Sequence, residues 1–108
     1  MKYLQQHHNM NWLTEWFKSQ CNGDWEHENQ IQIYTVDNPG WVVKIDLRNT
    51  MLEKLEVEYK LVEKDENDWY GFSIKNAVYD GAGDLDKLEL LINKFREIVE
   101  TTTKDTIQ

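Results

Sequence analysis

Apolar residues recur at helical spacing near both ends of this chain and alternate with polar residues through its middle. Trp12, Leu13, Trp16 and Phe17 stand at i, i+1, i+4 and i+5, one helical face, while Glu15, Lys18 and Ser19 point away. Asn22-Gly23 supplies a stop, because both residues tolerate left-handed backbone. The spacing predicts a helix over residues 11–21, with Cys21 at the buried end of its apolar face. Residues 31–36 read as a strand and 41–47 as its return, with Trp41, Val43, Ile45 and Leu47 on one face. Between them Asn38-Pro39-Gly40 predicts a type II turn, with proline fixing one φ and glycine supplying a positive one.

A third strand is expected over 55–63, where Leu55, Val57, Tyr59 and Leu61 alternate with Glu56, Glu58 and Lys60. Such clean alternation means one wet face and antiparallel pairing. A turn over 64–68 leads to a fourth strand over 69–75, with Tyr70, Phe72 and Ile74 inward and Trp69 out of phase. A short fifth strand is expected over 77–79, ending before the loop-like Asp80-Gly81-Ala82-Gly83. Leu88, Leu91, Ile92, Phe95, Ile98 and Val99 form the stripe of a last helix over 85–100, with Asp84 as its N-cap. The fold class that follows is α+β: an antiparallel meander sheet of four to five strands with an N-terminal and a C-terminal helix packed on one face. Trp12, Trp16, Trp41 and Phe95 are assigned to its core.

The 108 residues suffice for one domain, expected over 10–100, with polar, loose ends over 1–9 and 101–108. Met10 is a second candidate translation start. Cys21 is the sole cysteine, which rules out an internal disulfide and fits a reducing, cytoplasmic setting. Neither a signal peptide nor a membrane span is expected, since the first residues lack an apolar core and no apolar run reaches membrane-spanning length. Twenty acids against 12 bases give a net charge of −8, which repels phosphate and anionic lipid. A direct nucleic-acid or membrane role is therefore not expected, whereas a basic partner is favoured.

Enzyme chemistry finds little support. Cys21, Asp24, His27 and Glu28 are close in sequence, but the dense Cys/His pairing of a zinc site is missing, and His7-His8 lie in the polar head. Cys21 with His27, oriented by Asp24 or Glu26, would be a nucleophile–base pair without a family signature; the simpler reading is a packed thiol and an ordinary loop histidine. Glu56 and Glu58 sit on an open sheet face, where a carboxylate is solvated and poorly suited to general-acid work. The segment 80–84 lacks a phosphate-binding motif. No cofactor, metal or catalytic residue is expected.

The more informative pattern is acid beside aromatic. Asp24-Trp25-Glu26-His27-Glu28 and Asp65-Glu66-Asn67-Asp68-Trp69 each place a tryptophan among acids in a loop or turn. Binding hot spots favour Trp and Tyr, and surrounding charge steers the partner. The competing account is that both tryptophans close the core from its ends.

From Met10 to about Val99 the chain resembles the immunity protein 53 family of bacterial polymorphic-toxin systems. The likeness rests on Trp12-Leu13, Trp16-Phe17 and the string Gln20-Cys21-Asn22-Gly23-Asp24-Trp25-Glu26-His27. It continues through Ile31, Ile33, Thr35-Val36-Asp37-Asn38-Pro39-Gly40-Trp41, Ile45-Asp46-Leu47, Thr50 and Leu52. Asn67-Asp68-Trp69 and the helix positions Leu85, Leu88, Leu91 and Phe95 complete it. The resemblance implies a protein made alongside a secreted toxin that it neutralises by direct binding.

The residues themselves extend this expectation. Glu26, Glu28, Glu56, Glu58, Asp65, Glu66 and Asp68 are expected to steer a basic toxin, a nuclease among the candidates, and Trp25, Trp69 and Tyr34 to anchor it. The protein is expected as a monomer or weak homodimer. The alternatives are an acidic interaction module or edge-paired homodimer unrelated to a toxin, and a Cys21/His27 enzyme.

Overall fold

A computed structural model describes residues 2–107, with side chains for residues 8–103. Three helices and five strands follow in the order α1 (Lys2–Gln20), α2 (Trp25–Glu28), β1 (Ile31–Val36), β2 (Gly40–Asp46), β3 (Val57–Asp65), β4 (Asp68–Lys75), β5 (Val78–Gly83) and α3 (Leu88–Ile107). All strand pairs are antiparallel, in the order β1-β2-β5-β4-β3. The architecture is α+β, as the hydrophobic pattern implies. The sheet joins a hairpin, β1-β2, to a three-strand meander, β3-β4-β5, and the seam is the β2-β5 ladder.

One sheet face builds the core from cross-strand rows. Ile31, Ile45, Tyr79, Ile74 and Val57 form one row, and Ile33, Val43, Gly81 and Phe72 form the next. Helix α3 lies on this face: the Tyr79 hydroxyl donates to the Leu91 carbonyl at 2.6 Å, and the Tyr79 and Phe95 rings meet at 5.1 Å. Helix α1 packs on α3 through edge-on contacts of Trp12 and Trp16 with Phe95. Trp16 and Phe95 are buried, and Trp12 and Trp41 are half-buried against the core.

Several local expectations are corrected. β5 is a six-residue central strand rather than a short tail, because Gly81 and Gly83 are there for space. A Cβ at Gly81 would come 3.1 Å from Leu91 Cδ2, and one at Gly83 2.7 Å from Lys87 Cβ, so α3 seats on bare backbone. The hairpin turn forms at 37–39, but the Asn38–Pro39 peptide is cis and Gly40 opens β2 without a positive φ. Gly40 is required for room: its Cβ would meet the Gly83 carbonyl oxygen at 2.6 Å. Asp84 does not cap α3, which starts at Leu88; it accepts from the Asp86 N–H two residues on, an Asx turn before the helix.

Cys21 is exposed rather than packed, its thiol donating to the Phe17 carbonyl at 3.3 Å. Residues 25–28 are not a loop but the short helix α2, with Asp24 just before it. Helices α1 and α3 also run through 2–9 and 101–107, the segments the sequence leaves as polar ends. The side chain of His7 lies outside the described residues.

Candidate interaction surface

The residues that the sequence singles out divide into three places. Trp25 is 5% exposed and belongs to the core, which corrects its reading as a surface anchor. Its ring stands edge-on to Trp16 and Phe17, and its indole N–H donates to the Arg48 carbonyl at 2.6 Å, so the polar edge is satisfied internally. Glu26 is also committed: its carboxylate accepts the N–H groups of Asn22 and Gly23 at 3.0 and 2.9 Å. Its own backbone N–H, those two donors and His27 together hold its carboxyl below the usual range against the opposing effect of burial. Glu28 remains exposed on α2.

Glu56, Glu58, Asp65, Glu66, Asp68 and Trp69 are carried by the β3-β4 hairpin and the residue before it, Glu56 and Glu58 near its open end and the other four at its turn. The first four are exposed, and Asp68 and Trp69 are half-buried. Residues 56–68 hold six acids against two lysines, half of the net charge of the chain. Asp84 fixes the turn end of this hairpin. Its Oδ2 accepts the Trp69 N–H at 2.8 Å and the Lys87 ammonium at 2.6 Å, and Lys87 reaches on to Asp68 Oδ1 at 2.8 Å. Burial raises the Asp84 pKa, but donors from Lys87, Trp69 and Asp86 outweigh it and hold the carboxyl below its ordinary value. Asp68 first, then Asp84, push the Lys87 pKa up.

Tyr34 is exposed on the outer sheet face, four strands from β3. At ordinary strand spacing that is about 19 Å. A continuous row of small and apolar residues connects the two edges: Tyr34, Val42, Ala82, Gly71 and Leu61 are successive cross-strand partners on the face away from the helices. Trp69 shares this face by alternation with Gly71, beside Glu63.

Tyr59 and Leu61 are the residues the sequence reading misplaces. Val57 pairs with Ile74 and Lys60 with Phe72, so β3 spends three steps where β4 spends two. This bulge sets Glu58 and Tyr59 against Ser73 and reverses the alternation beyond it. Tyr59 and Leu61, expected inward, therefore lie outward at 58% and 47% exposure, and Lys60 takes the inward side. The Tyr59 ring lies over Gly71, where a Cβ would fall 2.5 Å from the phenol oxygen. The paired glycine in β4 is the sequence signal that fits an aromatic lying flat across the sheet.

The match that decides the family is to the model of immunity protein 53, over residues 10–100. The chain belongs to the immunity protein 53 family. Searches of curated proteins and of solved structures returned no match. An immunity protein implies a toxin partner, and its surface, more than any cleft, becomes the feature of interest. Cys21 and His27 are both exposed, and no group of three or more potential metal ligands occurs among the described residues. No helix among the described residues is long and apolar enough to cross a membrane.

Proposed function

We propose that this immunity protein neutralises one cognate toxin in the cytoplasm by stoichiometric binding through an acidic, aromatic-containing surface. Family membership over residues 10–100 carries the reading. The concentration of exposed acids on the β3-β4 hairpin supports a basic toxin surface as the complement, with nucleases among the candidate toxins. Glu56, Glu58, Asp65 and Glu66 steer the approach, and Trp69 anchors the complex. The protein acts by occupancy rather than turnover, so protection follows the ratio of immunity protein to toxin.

The test uses the product of the neighbouring toxin gene. Reversing Glu56 and Glu58 to lysine is expected to slow association, and less so at 1 M salt, where the Debye length falls to about 3 Å. Trp69→Ala is expected to speed dissociation, with folding checked separately, by an amount on the order of 2 kcal/mol. Cys21→Ala and His27→Ala are expected to keep protection. Complete inactivation by substoichiometric protein would show turnover instead, and undetectable wild-type binding would defeat the reading for that toxin.

A second reading draws on β1, an edge strand whose sequence Ile31-Gln32-Ile33-Tyr34-Thr35-Val36 carries no charge. An uncharged edge invites strand pairing between copies. Light scattering after size exclusion separates an edge-paired homodimer from a monomeric inhibitor.

A further inference from the structure

We infer that the uncovered sheet face, at its β3 edge around Tyr59 and Leu61, is where the toxin docks, and that the toxin offers it an apolar patch ringed by lysine and arginine. The inference rests on the proposed toxin-binding function and gives it a location and a partner chemistry.

Four observations lead there. Helix α3 packs on the inner face at β2 and β5 with α1 stacked on α3, and among the described residues no helix packs on the outer row from Tyr34 through Val42, Ala82 and Gly71 to Leu61. Single exposed apolar residues are common on any protein, but a row crossing all five strands is a patch. Tyr34 and Leu61 at its ends, and Val36 and Tyr59 beside it, are each more than a third exposed.

The aromatic at the β3 edge of this patch is preorganised. Tyr59 lies on Gly71, so its ring is held against the sheet before a partner arrives and little side-chain freedom remains to be lost on binding. The bulge that turns Tyr59 outward is itself a device that re-aims side chains at sheet edges.

Charge selects the occupant. On the outer face Asp46, Glu58, Glu63 and Asp80 outnumber Lys44 and Lys75, and the hairpin beyond adds Asp65 and Glu66. A shallow cleft beside Tyr59 is lined by Glu56, Glu58, Ser73 and Lys75. A guanidinium entering that cleft would pair with carboxylate and stack on the phenol ring. A second copy is disfavoured, because a two-fold contact sets this acidic surface against itself.

The experiment is hydroxyl-radical footprinting of the wild-type protein, free and with a catalytically inactivated form of the neighbouring gene's toxin. The expected result is protection of Tyr59, Leu61 and Trp69, while Met10 and Met51, exposed on the helix side, react as before. Tyr59→Ala and Leu61→Ala are expected to weaken binding about tenfold or more each, and Glu15→Ala on α1 to leave it unchanged. A wild-type complex that protects Met10 and Met51 and leaves Tyr59 and Leu61 reactive overturns the location while the immunity reading stands. Protection of the sheet face in the protein alone, with a dimer's mass, makes a second copy the occupant and also overturns it. Failure of the wild type to bind is the separate result that removes the functional reading underneath.

Discussion

The ammonium of Lys87 lies 2.6 Å from Asp84 Oδ2, and the same oxygen takes the backbone N–H of Trp69 from the neighbouring strand. One buried carboxylate thus ties the approach to α3 to the start of β4, and holds the turn end of the hairpin that carries most of the proposed steering charge. Lys87 and Asp84 keep side-chain exposures of only 15% and 7%, so solvent screens this pair weakly.

Asp84→Ala is expected to cost about 2–3 kcal/mol, since it strands a backbone donor and a largely buried ammonium. Urea unfolding at pH 7 measures it. The exposed pair Lys18–Glu15 provides the contrast: its side chains are 67% and 71% exposed, and removing Glu15 should change stability by less than about 0.5 kcal/mol. Equal effects at the two sites would contradict the weight placed on Asp84.

The same contact fixes a pH dependence. The folded Asp84 carboxyl lies below its ordinary value of 3.8, so its contribution is complete above the unfolded pKa and disappears as pH falls through the folded one. Lys87 runs the other way: its pKa is raised above 10.5, so its contribution is complete below that value and is lost as pH rises through the folded pKa. Unfolding free energies from pH 2 to 6 should show a smaller acid loss for Asp84→Asn than for the wild type. An unchanged slope would remove Asp84 from the acid limb.

Three glycines should respond to alanine for different reasons. Gly40→Ala meets a backbone oxygen at 2.6 Å and Gly83→Ala meets Lys87 Cβ at 2.7 Å, so each forces strand or helix to shift, at about 1–3 kcal/mol. Gly23 has open space but φ +96°, and its alanine variant carries only backbone strain of about 1 kcal/mol. Thermal unfolding should rank Gly40 and Gly83 above Gly23 in cost.

Trp25 and Trp69 should separate cleanly. Trp25→Ala is expected to lose about 3–5 kcal/mol, as large core truncations do. Trp25→Phe keeps a ring but abandons the Arg48 carbonyl, costing about 1–3 kcal/mol. Any loss of protection in Trp25 variants should track the amount of folded protein measured by near-ultraviolet circular dichroism. A Trp25 variant of wild-type stability with a weakened complex would return that residue to the interface.

The sequence by itself determined the α+β class, both apolar helix stripes, the β1-β2 hairpin and four core aromatics. These follow from periodicity, which records how each segment must orient toward a common interior. Family resemblance likewise required only the residue strings. Tertiary structure decided the rest. The tryptophan of the string 24–28 and that of 65–69 look alike in sequence, yet Trp25 is sealed by Trp16, Phe17 and the Arg48 carbonyl, partners as far as 23 residues away. The glycines of 80–83 resemble a loop because their function, admitting Leu91 and Lys87, belongs to a helix still to come. Tyr59 and Leu61 follow a flawless alternation that places them inward. One extra residue against β4 reverses them, because a strand's faces are defined by its partner's register as well as by its own pattern.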